Sequence, residues 1–222
     1  MAIISESREV AEFDRILVKG IGKFLIKQGG EQSVTVKADE EIIKRITTEV
    51  IDRKLVIDIG RDWVERISVG FNLLSSREIV VEISARELFG LEIAGACDLE
   101  ASGIRGDSLE IKMSGASSVK VFDVDTNKIM TDMPGAGKIL VNGKTGEQQI
   151  TMTGAGAYDA SHLESQNARV TLTGVGSATI WAKENLEVSV TGVGSIEYYG
   201  NPHIKQSTTM LGSIRNLGEV PK

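Results

Sequence analysis

The sequence predicts an all-β, single-domain protein built as a parallel β-solenoid, and three observations support this prediction. A short phrase ending in glycine and a small residue returns seven times in the second half of the chain, every 18–20 residues. Apolar and polar residues alternate before each glycine, which is typical of half-buried strands. The chain has 24 glycines and only 5% aromatic residues, a composition that suits narrow strand corners. A unit of this size cannot bury its apolar face alone, so like units must stack.

The repeat predicts one coil of two strand arms per copy, with glycine at the corner. The residue two before each corner is apolar, and we expect Met113, Met133 and Met152 to be stacked neighbours. The small residue after the glycine, from Ala96 to Val193, is expected to begin the inward-facing positions of the second arm. Such a slip of phase at glycine lets a strand turn a corner. The structural corner glycines are Gly95, Gly115, Gly135, Gly154, Gly174 and Gly192, and the degenerate seventh copy has Met210 in their place.

Residues 1–90 are predicted to form a β segment that is less regular than the repeats that follow it. Short β runs lie between turn clusters, at Arg15–Val18, Lys23–Lys27, Ser33–Lys37, Lys54–Ile59 and Glu78–Ile83. Asp39 is expected to cap a short helix whose Ile42, Ile43 and Ile46 share one face. The phrase around Gly20 resembles a distant copy of the corner. We therefore expect this segment to extend the solenoid with longer coils and to close its N-terminal edge.

The whole chain, 1–222, is predicted to be one domain, since no linker separates its parts. Regular glycine-cornered coils, about seven of them, are expected over 91–216, followed by a short tail at 217–222. Right-handed winding is the expectation, because coils of irregular length suit it better than strict hexapeptide repeats do. Strands of a meander in a β-sandwich are the alternative architecture. The last copy has polar Gln206 and Thr208 at inward positions, and no helix follows to cover it, so a homo-oligomer through this end is predicted.

Composition narrows the functional classes. The net charge of −6 argues against a nucleic-acid or anionic-membrane partner. No stretch has the length and apolarity of a membrane span. Cys97 is the single cysteine, so an intrachain disulfide is excluded. Met1–Phe13 contains charged residues where a signal peptide needs apolar ones, so the protein is expected to be cytoplasmic or to begin after a cleavage site.

No catalytic residue, metal site or cofactor is predicted. His162 and His203 are the only histidines, too few and too far apart for a metal centre. Outward carboxylates would be the catalytic groups of a carbohydrate-active β-helix, but no co-facial cluster is evident among Asp98, Asp123, Asp125, Asp132 and Asp159. The candidate binding residues are Trp181, Tyr198 and Tyr199, which could form a sugar-stacking patch or could pack at the core and coil edges.

The phrases Glu9–Gly22 and Phe24–Gly29, the repeated Thr-Gly-Val-Gly-Ser and Ser-Gly-Ala, and the stretch Ile196–Pro202 resemble the putative autotransporter adhesin head GIN domain family, a bacterial envelope domain of unknown function. The resemblance spans roughly residues 7–216. It implies an exported protein of the cell envelope or extracellular space. It transfers no site residues.

Together these observations predict a non-catalytic interaction protein of the envelope that presents side chains along a rigid face to surface glycans or envelope proteins. The alternatives are a carbohydrate-active β-helix enzyme, of the polysaccharide lyase or hydrolase type, and a structural spacer that oligomerises through its coil ends.

Overall fold

Parallel strands stacked in coils form most of the computed structural model, which describes residues 3–60, 79–208 and 211–220. The first elements are β1 (Ile3–Arg8), β2 (Arg15–Lys19), β3 (Ile21–Gln28), β4 (Ser33–Asp39), α1 (Glu40–Ile43), β5 (Thr47–Ile51), β6 (Lys54–Asp58), β7 (Val80–Ala85) and β8 (Gly90–Ile93). They are followed by β9 (Ala96–Ser102), β10 (Arg105–Met113), β11 (Ala116–Met133), β12 (Ala136–Met152), β13 (Ala155–Leu172), β14 (Val175–Val190), β15 (Val193–Tyr199), β16 (His203–Thr208) and β17 (Gly212–Gly218). The predicted all-β solenoid fold is confirmed.

The apolar columns of the sequence become ladders that run up the interior. The early part of each long strand pairs in parallel with the next coil, as in Val119 with Ile139 and Ile139 with Tyr158. The late part of each strand does the same, and Met133 and Met152 are register partners there. Lys112 pairs with Asp132, which brings Met113 beside Met133 in the same ladder. All three methionines are buried.

The residue after each corner glycine is exposed, so the prediction that it begins the second inward run is wrong. Val175 and Val193 are 58% and 47% exposed. The inward position comes one residue later, at buried Cys97 and Ser117 and at glycines in the later coils. The bend directs the first side chain to the outside of the corner. In the later coils this position holds glycine because the neighbouring coil lies close, since a Cβ on Gly176 would lie 2.0 Å from the Gly156 carbonyl oxygen.

The N-terminal segment extends and closes the solenoid, as predicted. β2 and β3 lie between β6 and β7 on one side and β8 and β9 on the other, with all these pairings parallel. Gly20 lies directly below Gly95 in the corner column. Beyond this coil, β4 pairs antiparallel with β7, β1 with β4, and β5 with β6. Asp39 caps α1 by accepting a hydrogen bond from the Glu41 backbone N–H at 3.0 Å.

The sequence did not predict β1 and β5. It placed the other N-terminal strands correctly to within a few residues, apart from the start of one run at Glu78, which lies outside the described residues. Thr209 and Met210 of the seventh copy also lie outside them. Handedness stays a prediction. Within the described part of the chain, no helix is long and apolar enough to cross a membrane.

Among the described residues, no antiparallel strand covers the C-terminal end of the stack, in contrast to the N-terminal end. β16 pairs with β14, and β17 pairs with β15, and no described strand pairs with their outer edges. The inward column of Leu186, Val188 and Val190 continues into the last coil as Ile204, Gln206 and Thr208. Every residue of β16 is exposed. Within the described part of the chain, the last coil therefore leaves hydrogen-bonding edges uncovered.

Candidate ligand-binding surface

The structure brings together two of the three aromatic candidates. Trp181 on β14 and Tyr199 on β15 are register partners on neighbouring coils, about 4.8 Å apart along the stack by ordinary strand spacing. Both side chains are half-buried and alternate with inward residues, so they point outward. Tyr198 instead packs against the core as the partner of Ile180. Trp181 and Tyr199 form a two-ring surface that we call the aromatic platform.

Buried polar groups hold the backbone of the platform from inside. Ser165, fully buried, donates its hydroxyl proton to the Trp181 carbonyl at 2.6 Å. Gln148, also fully buried, donates its amide to the Ser165 hydroxyl at 2.8 Å and to the same carbonyl at 3.2 Å. The strand register shifts at this point, between Ala160 and Glu164 on the neighbouring coil. The hydrogen bonds satisfy a carbonyl that the irregular ladder would leave unpaired.

A charged pair borders the platform. Glu164 is the register partner of Trp181 on the preceding coil, and its carboxylate accepts a hydrogen bond from Lys183 Nζ at 2.9 Å. On the other side, a Cβ on Gly200 would lie 3.6 Å from Trp181 Cδ1, so the absence of a side chain leaves the indole edge uncovered. Aromatic faces beside polar hydrogen-bonding groups suit a sugar, which has an apolar C–H face and a hydroxyl-lined edge.

A polar groove of about 350 Å³ lies on late parts of the same coils. Asn185 donates its side-chain amide to the Asn167 side-chain oxygen at 2.7 Å, and His203 continues this ladder on the next coil. Alongside it, Glu187 lies between Arg169, at 2.8 Å, and Lys205, at 3.9 Å. The groove therefore repeats polar side chains at the coil spacing. Aligning the repeats could have revealed the groove, because it puts four polar residues in one column: Glu147, Asn167, Asn185 and His203. Considering each histidine by itself does not show this column.

The five candidate aspartates are not gathered into one site. Asp123 pairs with Arg105 at 2.6 Å, and Asp159 with Lys138 at 3.5 Å. Burial pushes the pKa of Asp159 upward, but hydrogen bonds from Ser161 and the Lys138 charge outweigh burial, and the pKa is lowered overall. His162 contacts Ser161 and lies apart from His203 in the chain. Among the described residues, no group of three His, Cys, Asp or Glu side chains could hold a metal ion.

Comparison with known proteins identifies the family and the fold. A family profile described as "Putative auto-transporter adhesin, head GIN domain" matches residues 12–202. No curated protein matches the chain. A crystal structure of a putative adhesin from Bacteroides fragilis NCTC 9343 is similar over 97% of both chains, at 24% identity and a TM-score of 0.86. Two structures from Parabacteroides distasonis ATCC 8503, both 20% identical, cover 97% of this chain. One is a putative adhesin (97% of its chain, TM-score 0.73) and the other a putative lipid binding protein (96%, TM-score 0.70). At these identities the likeness shows a shared fold.

Proposed function

We propose that this protein, which belongs to the family of the putative auto-transporter adhesin head GIN domain, is a non-catalytic glycan-binding protein of the bacterial cell envelope or its exterior. The observation that carries the proposal is the aromatic platform, where Trp181 and Tyr199 lie side by side on adjacent coils. In a chain with only 5% aromatic residues, an outward pair is a distinctive feature. Two half-buried rings side by side on the outer face, next to polar groups, suit stacking against the apolar face of a sugar.

The solenoid supports this role mechanically. The long strands β11–β14 pair with their neighbours along most of their length, so the platform and the polar groove stand on a rigid surface. Successive coils present their side chains about 4.8 Å apart, so a linear saccharide lying along the stack would meet repeated contacts. Binding through several shallow contacts of this kind favours an extended chain over a small molecule.

A glycan array of bacterial and host saccharides tests the proposal. We expect the wild-type chain to bind a subset of linear glycans and the double variant Trp181→Ala/Tyr199→Ala to lose that binding. The matched control is Val175→Ala/Val193→Ala, which removes two exposed apolar side chains from the neighbouring corner and should bind like wild type. Binding to no glycan, or equal binding by both double variants, would refute the platform as the site.

The array must be accompanied by an activity assay, because the alternative is a carbohydrate-active enzyme. We expect no shortening of the bound polysaccharides over prolonged incubation. Turnover that one carboxylate substitution abolishes would replace the binding function by an enzymatic one.

We also propose that two copies of the chain associate through the last coil. Support comes from the uncovered edges of β16 and β17 and from the exposed apolar residues beside them, Leu211 (68% exposed) and Ile204 (39%). Unpaired strand edges readily accept another strand. Pairing of two ends would place two platforms on one assembly and strengthen binding to a polymeric glycan.

A further inference from the structure

A second groove, of about 440 Å³, crosses the outer face of the N-terminal coils. It is formed by β4, β7, β3, β9 and the start of β11, and two rows of outward side chains run across these strands. The first row is Ser33, Ser84, Lys27, Ser102 and Phe122. The second row is Thr35, Glu82, Leu25 and Glu100. The two rows supply the lining that an extended ligand would contact.

Among the described charged residues of the groove, Lys27 is the one without an ion-pair partner. Glu82 pairs with Lys37 at 2.6 Å, and Glu100 pairs with Lys120 at 3.2 Å, so both carboxylates are neutralised from outside the first row. Lys27 is exposed, and its register partners on both sides are serines, Ser84 and Ser102. Among the described residues its ammonium group has no hydrogen-bond or ion-pair partner. Within the described part of the chain, the centre of the groove therefore offers one unpaired cation to an anionic ligand.

The rest of the lining combines one aromatic ring, one aliphatic side chain and hydroxyls. Leu25 lies two residues before Lys27 on β3, and Phe122 lies across the row beyond Ser102; both are half-buried and present apolar surface to the groove. Ser84 donates its hydroxyl proton to the Gly29 carbonyl at 2.9 Å, so it can only accept from a ligand. Ser33 and Ser102 are not engaged by side-chain hydrogen bonds to other described residues, so their hydroxyls can donate or accept. Such a lining can contact the apolar face, the hydroxyls and the carboxylate of one molecule together.

We propose that this groove binds an acidic saccharide, with the hexuronic acid carboxylate on Lys27 and Ser102 and the pyranose ring against Phe122. An acidic peptide fits less well, because an extended peptide is recognised through a free strand edge and every strand under the groove is paired on both sides. The proposal extends the glycan-binding function to a defined ligand class. It uses none of the residues of the aromatic platform, so the two can fail separately.

Calorimetric titration of the full chain tests the proposal, with tri-galacturonic acid and a hyaluronan tetrasaccharide as probes. We expect at least one probe to bind, and Lys27→Gln to weaken that binding about tenfold, since it removes the charge-assisted contact. The methyl ester of the same probe should bind wild type about tenfold more weakly. Lys23→Gln is the matched control, on the same strand and face but outside the groove, and it should bind like wild type. Phe122→Leu, which keeps an apolar side chain, should weaken binding while the chain stays folded.

Three results would overturn the proposal: no binding of either probe by wild type, equal binding by Lys27→Gln, or equal binding of a tetraglutamate peptide. Absence of uronate binding would not refute the aromatic platform, provided that wild type binds a neutral glycan on the array and Trp181→Ala/Tyr199→Ala does not. If wild type binds no neutral glycan on the array but does bind a uronate probe in calorimetry, the N-terminal groove is the binding site and the aromatic platform is not.

Discussion

At the scale of single residues, the corner glycines are fixed by how closely successive coils approach. A Cβ on Gly154 would lie 1.9 Å from the Gly135 carbonyl oxygen, and one on Gly115 would lie 1.8 Å from that of Gly95. These contacts are with backbone of the neighbouring coil, which cannot move aside without breaking its own ladder. Close approach therefore requires glycine at these two corners, neither of which has a positive φ.

We expect Gly154→Ala to lower the free energy of unfolding by about 3 kcal/mol or more, as overpacking against backbone does. Gly90→Ala is the matched control. The three atoms nearest to its Cβ would all belong to the Arg15 side chain, the closest at 3.3 Å, so it should cost about 1 kcal/mol at most. Urea unfolding followed by circular dichroism measures both. Equal stabilities for the two variants would show that the corners are looser than the carbonyl distances imply.

Tyr158 predicts a pH dependence of stability. Its side chain is fully buried, and burial raises the pKa of the phenol above the ordinary value of 10.0, while the Thr131 hydroxyl opposes that shift. In the unfolded chain the phenol ionises from about pH 10, but in the folded chain it stays protonated to higher pH. The unfolded state therefore gains stability from ionisation first, and folding stability falls as pH rises above 10.

Melting temperatures between pH 8 and pH 11 measure this effect. We expect Tyr158→Phe to lose less stability over this range than wild type, although other groups titrate in both proteins. Parallel curves for the two proteins would mean that Tyr158 is accessible to solvent. The influence of Thr131 on Tyr158 was not predictable, because the two residues belong to different columns of the repeat.

At the scale of elements, the sequence predicted strands with a buried side and missed those without one. β3, β4 and β6 alternate buried and partly exposed residues, and their apolar runs identified them. β1 and β5 have no fully buried residue, so their alternation carries no strong apolar signal. They exist because they pair with edges already built by β4 and β6. Tertiary context therefore decides these elements.

The sequence predicted where each corner lies but not which side chain after the glycine points inward. Alternation alone cannot tell which residue of a bend points outward, so the small side chain after the glycine was mistaken for an inward one. The aromatic platform could have been aligned from the repeat, because Trp181 and Tyr199 each stand seven residues after a corner glycine, Gly174 and Gly192. The register shift on the preceding coil decides instead that Glu164 lies beside Trp181, and no local pattern reveals that shift. Tyr198 points the other way because it is one residue out of phase.

We expect the chain to form a dimer through its exposed last coil. Light scattering of the purified chain should give twice the monomer mass at high concentration. Gln206→Lys places a charge at an inward position of the open coil, where two ends would meet, and should give a monomer. Ser207→Lys adds the same charge to the outer face of the same strand and should leave the dimer intact. A monomer for wild type, or equal masses for the two variants, would exclude pairing through this coil.

At the scale of the whole molecule, the solenoid converts a short repeat into long parallel surfaces with different chemistry. One end presents the aromatic platform and a polar groove, and the other presents a groove with an uncommitted lysine. Several described surface carboxylates, such as Glu100, Glu164 and Glu187, form ion pairs that run between neighbouring coils. This arrangement is typical of a solvated scaffold, and it favours binding over catalysis.

The most direct test of glycan binding by the aromatic platform is a double-mutant cycle on the strongest-bound glycan of the array. Calorimetry would give the dissociation constant for wild type, Trp181→Ala, Tyr199→Ala and the double variant. If the two rings bind one sugar chain together, each single variant should weaken binding about tenfold or more, and the double variant should weaken it by less than the product of the single effects. Unchanged affinity in both single variants would contradict glycan binding by the platform.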